Sequence, residues 1–343
     1  MKKRVPDAAL LAVLVVGMAG LAFCARRPAL WPGMVGCAAL STALLPVLWK
    51  RRSVTTGQVL ALAVLFRLMV IGMPPTLSDD AHRYVWDGLV QREGMSPYVH
   101  RPSAKELKVL HSKKIYSKLN SEKYYSVYPP VSEMVFWMGG QFYEAGASIS
   151  YYIIKCIFAL FEVAAVFLLA RMVAARDLML YAWQPLAVLE AAGQGHTEAA
   201  CVFFLVATVW ACRKGRPALA GAALAGAGGV KLFPLVLLPF LWQRMGRRTL
   251  WGASAALVLM ALPYASLEAG AHLVESLRLY VRLFEFNAGP YYALKGTLLA
   301  LTGEDWSKTL GPLLSGVFLC GLPVLYTLDR AYRPSLAQIS RLA

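Results

Sequence analysis

The sequence predicts an all-α polytopic membrane protein with about ten transmembrane helices, and three observations carry that prediction. Of its 343 residues, 58% are hydrophobic and only 16% charged, with a mean hydropathy of +0.52. Soluble domains lie nearer ~45–50% apolar and ~25% charged. The apolar residues fall into long runs, too many for one water-soluble core to hide. Lys and Arg outnumber Asp and Glu by 35 to 19, and much of this excess of +16 sits in clusters beside those runs. That placement is the signature of cytoplasmic helix ends and of contact with anionic headgroups. Composition therefore excludes an ordinary cytosolic enzyme and a disordered chain. Nucleic acid is not a partner, because no long soluble basic domain exists to hold it.

The candidate spans are 8–24, 29–49, 57–73, 149–170, 178–192, 197–212, 217–229, 232–243, 249–265 and 309–328. Several are short for a ~30 Å hydrocarbon layer, which needs roughly 20 residues, but short broken helices are tolerated where they line a cavity. Met1-Lys2-Lys3-Arg4 precedes the first run, and Leu21-Ala22-Phe23-Cys24 resembles a lipoprotein cleavage box. Phe23 is bulky where a small residue is required, so the first run reads as a transmembrane helix. The six cysteines (Cys24, Cys37, Cys156, Cys201, Cys212 and Cys320) lie in apolar runs without a CxxC and read as packing residues.

Basic clusters then orient the chain. Lys2–Arg4, Lys50–Arg52, Arg171 with Arg176, Arg213–Arg216 and Arg244–Arg248 read as cytoplasmic. Residues 1–343 form one integral-membrane domain, with large outer loops at 74–148 and 266–308. The apolar run 131–145 reads as a helix lying at the membrane surface. On this topology Asp79-Asp80, His196 with Glu198, Lys231 and the loop carrying Asn287 fall on one face.

The richest stretch is Ser78-Asp79-Asp80-Ala81-His82-Arg83-Tyr84-Val85-Trp86-Asp87, continuing to Gly94-Met95-Ser96-Pro97-Tyr98. Adjacent carboxylates beside a membrane are costly unless hydrated, paired or functional. A carboxylate here could act as a general base; equally, Ser78 and Asp79 suit a helix N-terminus. Tyr84 and Trp86 are sugar platforms or interfacial anchors. Residues 101–123 carry seven Lys/Arg and two Glu, a solvated or headgroup-facing basic loop. Gly193-Gln194-Gly195-His196-Thr197-Glu198 joins two short helices; His and Glu alone are not a metal-ligand set. Lys231, inside Gly228-Gly229-Val230-Lys231-Leu232-Phe233-Pro234, is a functional candidate by its depth, or a snorkelling side chain. Lys155 and Glu162, seven apart in one span, share a face and read as a structural pair. No P-loop, Rossmann fingerprint or HExxH motif is present.

The run from Asp79 to Tyr98, followed by Tyr128-Pro129-Pro130, resembles the GT-C superfamily of membrane glycosyltransferases. More narrowly it resembles bacterial polyprenyl-phosphate-mannose-dependent mannosyltransferase-like proteins. The resemblance resumes at Trp183-Gln184-Pro185-Leu186, Gly195–Glu198, Lys231–Pro234 and Phe286-Asn287, in the expected order. It implies a GT-C-like fold whose large outer loop carries juxtamembrane helices and the catalytic motif. It also implies an inverting reaction with Asp80 as catalytic base and Asp79 second. Lys231, His196 and Arg83 become candidates for the donor phosphate. Tyr84, Trp86, Asp87, Tyr128, Gln184, Glu198 and Asn287 become candidate substrate contacts. Gln184 stands where relatives often have Asn, and Thr197-Glu198 where they often have Asn-Asp.

The sequence thus reads as a hexosyltransferase of the inner (plasma) membrane with its active site facing the periplasm or exterior. Its partners are a polyprenyl-phosphate sugar donor, a lipid or glycan acceptor, and membrane lipids. No cofactor is required, and a divalent metal is compatible with it. The sequence leaves oligomeric state open. A lipid or solute carrier using Lys231, Lys155 and Glu162 is the alternative.

Overall fold

A computed structural model of the chain describes residues 6–283 and 289–331. Among the described residues there is no strand; the elements are helices and short 3₁₀ or π turns. They run α1 (Asp7–Ala25), α2 (Trp31–Arg51), α3 (Thr56–Ile71), α4 (Asp80–Arg92), α5 (Pro130–Gly140), α6 (Ala147–Leu169), α7 (Ala175–Ala182), α8 (Pro185–Val188), α9 (Glu198–Arg213), α10 (Pro217–Val230), α11 (Leu238–Met245), α12 (Arg248–Ala261), α13 (Leu267–Leu283), α14 (Gly289–Thr302) and α15 (Ser307–Ala331).

Local chemistry sets the boundaries. α1 and α2 form a hairpin closed by Asp7 in the first turn of one and Arg51 in the last turn of the other, 2.7 Å apart. α3 opens with a capping box: Thr55 Oγ1 accepts the Gln58 N–H at 3.2 Å, and Gln58 Oε1 accepts the Thr55 N–H at 2.9 Å. Pro129 and Pro130 stop the loop before α5 and supply its first turn.

The apolar side chains bury into two clusters. One gathers α1, α2, α3, α7 and α8, the other α4, α5, α9 and α10 with the loop between α4 and α5. α6 supplies Ala159 and Val166 to the first and Tyr151, Ile154 and Phe158 to the second, and so joins them. Its Glu162 receives Arg67 of α3 in a bidentate pair at 3.0 and 2.6 Å. The expected Lys155–Glu162 pair is therefore not made. A buried carboxylate needs the planar fork of an arginine, which satisfies both oxygens at once.

Four helices, Asp7–Ala25, Pro28–Arg51, Ala147–Leu169 and Ser307–Arg330, are long and apolar enough to cross a membrane. Two bent pairs raise the number to six if each is one span: Pro185–Gly193 with Glu198–Arg213, bent by 115°, and Arg248–Tyr264 with Leu267–Ser276, bent by 104°. The sequence-predicted spans at 57–73 and 217–229 are the shorter apolar helices α3 and α10. The predicted span 178–192 is not one helix. Pro185 interrupts it after Trp183, and a π-helical turn, Leu189–Gly193, follows α8. The predicted span 232–243 is a 3₁₀ turn and the eight-residue α11.

The run 131–145 is helical, as expected. Its helix is the eleven-residue α5, followed by a 3₁₀ turn, Tyr143–Ala145, and α5 packs among α4, α6 and α10. Gly88 of α4 and Gly140 of α5 explain how: the two backbones touch there, and a Cβ on Gly88 would collide with the Phe136 carbonyl. Within 74–148, α4 and α5 thus make a tight helical wedge, and the intervening loop covers it. Within 266–308 lie α13 and α14; α13 packs against α15.

Candidate functional site

Two backbone segments carry the site, and buried side chains tie them together. One is the stretch from Met73 to Asp79 that leads into α4. The other is the Gly193–Thr197 turn between α8 and α9. Lys155 on α6 is fully buried, and its Nζ donates to the Met73 and Gly193 carbonyls, the latter at 3.3 Å. The rings of Tyr151 and Tyr152 flank its ammonium with centroids at 5.0 and 4.7 Å. Tyr151 Oη donates to the Gln194 carbonyl at 2.9 Å, and Gln194 Oε1 accepts the Leu77 N–H at 3.1 Å. Gly195 is left-handed at φ +71°, and any Cβ there would press on the Lys155 side chain at 3.0 Å. Only glycine fits a turn both left-handed and this close to its clamp.

Asp79 and Asp80 open α4. The Asp80 N–H donates to Ser78 Oγ at 3.2 Å, and both carboxylates are exposed. Helix N-termini favour negative charge. The Asp80 carboxyl lies within the electrostatic reach of His196, Lys231, Glu198 and Asp79. Residues far apart in sequence are thus gathered around one aspartate. Desolvation by the protein around it pushes the Asp80 pKa up; His196 and Lys231 oppose that shift, and Glu198 and Asp79 add to it. Solvent reaches the group, yet enough protein surrounds it to weaken its hydration, as at the mouth of a recess.

His196 uses Nδ1 against the Glu190 carboxylate, and its backbone N–H donates to the Glu190 carbonyl at 2.9 Å. Its Nε2 is buried without a partner. Lys231 follows α10 in an extended conformation, φ −144°, and pairs with Glu198 at the start of α9. The resemblance makes it a candidate for the donor phosphate; in the structure its partner is the Glu198 carboxylate. His82, one turn from Asp79, has its pKa lowered by partial burial and by Lys118 from the basic loop.

Other candidates lie elsewhere. Arg83 is buried; its Nε donates to Asp87 at 2.8 and 2.9 Å, while its Nη2 has no hydrogen-bond partner. Its Nη1 donates to the carbonyls of Ser121 and Tyr124 at 3.1 and 3.0 Å. Asp87 is fully buried as its partner and cannot meet a substrate. Trp86 is likewise fully buried, its ring against Tyr116 at 5.4 Å and His111 at 6.4 Å, a core anchor for the loop. Tyr84 is buried, stacked on Phe136 at 4.5 Å and edge-on to Tyr128 at 5.2 Å. Tyr128 remains half-buried. Gln184 accepts a hydrogen bond from Thr42 of α2 at 3.1 Å, in the first cluster. Asn287 lies outside the described residues.

The sequence reading missed Glu190 and Glu133. Glu190 sits in an apolar run, and only its spacing of six residues from His196 hints at the pairing. Glu133 of α5 is fully buried: Ser126 Oγ donates to its Oε1 at 2.5 Å and Gln91 Nε2 to its Oε2 at 2.7 Å. Burial, with the nearby Asp87 charge, raises its pKa well above the usual carboxylate range. Burial raises the Asp87 pKa as well, against the pull of the Arg83 guanidinium. Among the described residues, no group of three or more His, Cys, Asp or Glu could hold a metal ion.

Fold and composition together define an all-α, multi-pass membrane protein. Residues 6–247 match the family described as alpha-(1->6)-mannopyranosyltransferase, N-terminal domain, and the chain belongs to that family. It is therefore a membrane glycosyltransferase of the mannosyltransferase kind. No curated protein and no solved structure matches the chain.

Proposed function

We propose that the protein transfers a hexose, mannose on the family's evidence, from a polyprenyl-phosphate donor to a lipid or glycan acceptor, inverting the anomeric centre on a GT-C-like fold. The reaction runs on the outer face of the inner membrane. The observation that carries this reading is Asp80: a solvent-reachable carboxylate at a helix N-terminus, within the field of His196 and Lys231.

The acceptor hydroxyl oxygen attacks the anomeric carbon as the bond from that carbon to the phosphate oxygen breaks. Asp80 takes the hydroxyl proton, and the polyprenyl phosphate leaves with the electron pair. Lys231 and the free Nε2 of His196 stabilise the growing phosphate charge. The phosphate displaces Glu198 from Lys231, so donor binding exchanges one anion for another. The polyprenyl tail remains in the bilayer. The carrier alternative is weakened because Lys155 and Glu162 are consumed by backbone carbonyls and by Arg67.

General-base catalysis contributes ~10²–10⁴-fold. Asp80→Asn is expected to lose at least two orders of magnitude in single-turnover transfer from a short-chain polyprenyl-phosphate sugar while still binding donor, and Asp79→Asn is expected to be milder. Normal transfer by Asp80→Asn would reject this role.

A further inference from the structure

Glu190 and His196 are six residues apart, a spacing that puts two side chains on different faces of an α-helix. They meet because the chain between them is not one. The π turn Leu189–Gly193 widens the backbone, with the Gln194 N–H donating to the Leu189 carbonyl at 2.8 Å. Left-handed Gly195 then turns the chain back. Two bonds lock the closure. The His196 N–H donates to the Glu190 carbonyl at 2.9 Å, and the ring Nδ1 meets the Glu190 carboxylate. The imidazole is 18% exposed, and its Nε2 is buried without a partner.

This arrangement decides which protons the ring carries. A carboxylate only accepts, so Nδ1 must hold a hydrogen. Nε2 is then a bare lone pair in the neutral ring and an N–H donor in the imidazolium. A phosphate oxygen also only accepts, so it can bond to Nε2 only when the ring is charged. The groups around the ring favour that charge. Burial pushes the His196 pKa down; the Glu190 bond and charge, then Glu198 and Asp80, push it up, and the net shift is upward. Asp79 adjoins Asp80 on the same side. The cations nearby are Lys231, which is paired with Glu198, and Lys155, whose side chain packs against Gly195.

We infer that Glu190 is a positioning residue for the donor phosphate: it fixes His196 with a hydrogen on Nδ1, so that Nε2 holds a phosphate oxygen only while the imidazole is charged. The inference rests on the transferase reading above and adds to it a residue that touches no substrate. It also gives donor affinity a pH dependence of definite sign, tighter where the ring is protonated and weaker where it is neutral.

The test is equilibrium binding of a fluorescent short-chain polyprenyl-phosphate sugar to the full chain in lipid nanodiscs, without acceptor, from weakly acidic to alkaline pH. The single phosphate charge of this probe is constant over that range. Affinity of the unaltered protein should fall as pH rises through the His196 titration. Glu190→Gln keeps the shape and an accepting oxygen but removes the charge, so the fall should come at lower pH. The two proteins should bind alike in weakly acidic buffer, and the gap should open to roughly tenfold at intermediate pH, the scale of one charge-assisted hydrogen bond. Glu190→Asp, which keeps the charge, should lie between them. In a His196→Gln background the fall should vanish and Glu190→Gln should add nothing, because the two residues act through one contact. A gap of equal size at every pH would give Glu190 a merely structural role and overturn the inference. So would unchanged affinity throughout, or a full effect of Glu190→Gln without the imidazole. Single-turnover transfer by Asp80→Asn is measured alongside. Normal transfer there sinks the reaction reading and leaves the binding result standing, whereas a pH-independent gap sinks the Glu190 role alone.

Discussion

Gln194 Oε1 accepts the backbone N–H of Leu77 at 3.1 Å across 117 residues of sequence. With Lys155 donating to Met73 and Gly193, it makes the approach to α4 and the His196 turn a single piece. The relative placement of Asp80 and His196 is thus fixed by groups that touch neither.

Lys155→Met should therefore strand two buried carbonyls. A lost partner costs about 1–3 kcal/mol each, so a fall in melting temperature measured by intrinsic fluorescence in detergent is expected. Turnover should fall further than stability explains at temperatures well below the transition. Lys155→Arg should not restore it, because the bulkier fork does not fit beside Gly195.

The pH dependence of transfer should carry the Asp80 shift. A base works only when deprotonated, so activity is lost as pH falls through a pKa that burial holds above the ordinary 3.8. Glu198 raises that pKa and Lys231 lowers it. Glu198→Gln should move the acid limb of kcat/KM to lower pH. A shift to higher pH would mean that another group titrates.

Lys231→Ala should weaken donor binding by roughly 1.5–3 kcal/mol, the scale of a charge-assisted hydrogen bond. Lys231→Arg should rescue poorly, since a planar fork replaces a point ammonium. Equilibrium binding of a fluorescent polyprenyl-phosphate sugar checks both, and unchanged affinity in the Ala variant would remove Lys231 from the donor site.

Glu133 should make stability depend on pH with a definite sign. Its folded-state pKa lies well above the usual 4.5, so the folded state holds its proton more tightly than the unfolded one. Its contribution is fully present below pH 4.5 and drains away as pH rises towards the folded pKa. Glu133→Gln stays neutral and keeps its shape. Its melting temperature should match that of the unaltered protein at acidic pH and exceed it at alkaline pH, by about 2–4 °C per kcal/mol.

Ser53 and Ser103 are both exposed and test the topology. In a cysteine-free background, a membrane-impermeant maleimide added outside should label Ser103→Cys fully and leave Ser53→Cys unlabelled. The reverse pattern would place the candidate site on the cytoplasmic face.

Apolar runs and basic clusters made the helical membrane class legible in the sequence, and polar residues standing beside or within such runs marked Asp80, His196, Glu198 and Lys231. Their gathering needed tertiary packing that no spacing encodes. Arg67 and Glu162 are 95 residues apart, whereas helical spacing pointed Glu162 towards Lys155. Arg83 and Asp87 stood at helical spacing, so their pairing could have been read from i,i+4 alone. Trp86 misled because an aromatic in a polar loop looks like a platform, whereas this one is the loop's own core. The span expected at 178–192 ran through Pro185, which breaks it, and the π turn after it leaves no compositional mark, because it differs only by an extra residue per turn.

The contact of Gly88 with Gly140 has a consequence for how such an enzyme can change. With no side chain between them, α4 and α5 have no lubricating layer to slide on, so substitutions nearby cannot tilt the Asp80 carboxylate by degrees. The covering loop from Met95 to Tyr128 carries no such restriction. Sequence change is therefore tolerated in the cover, while the hinge-less wedge beneath it holds the start of α4 in place.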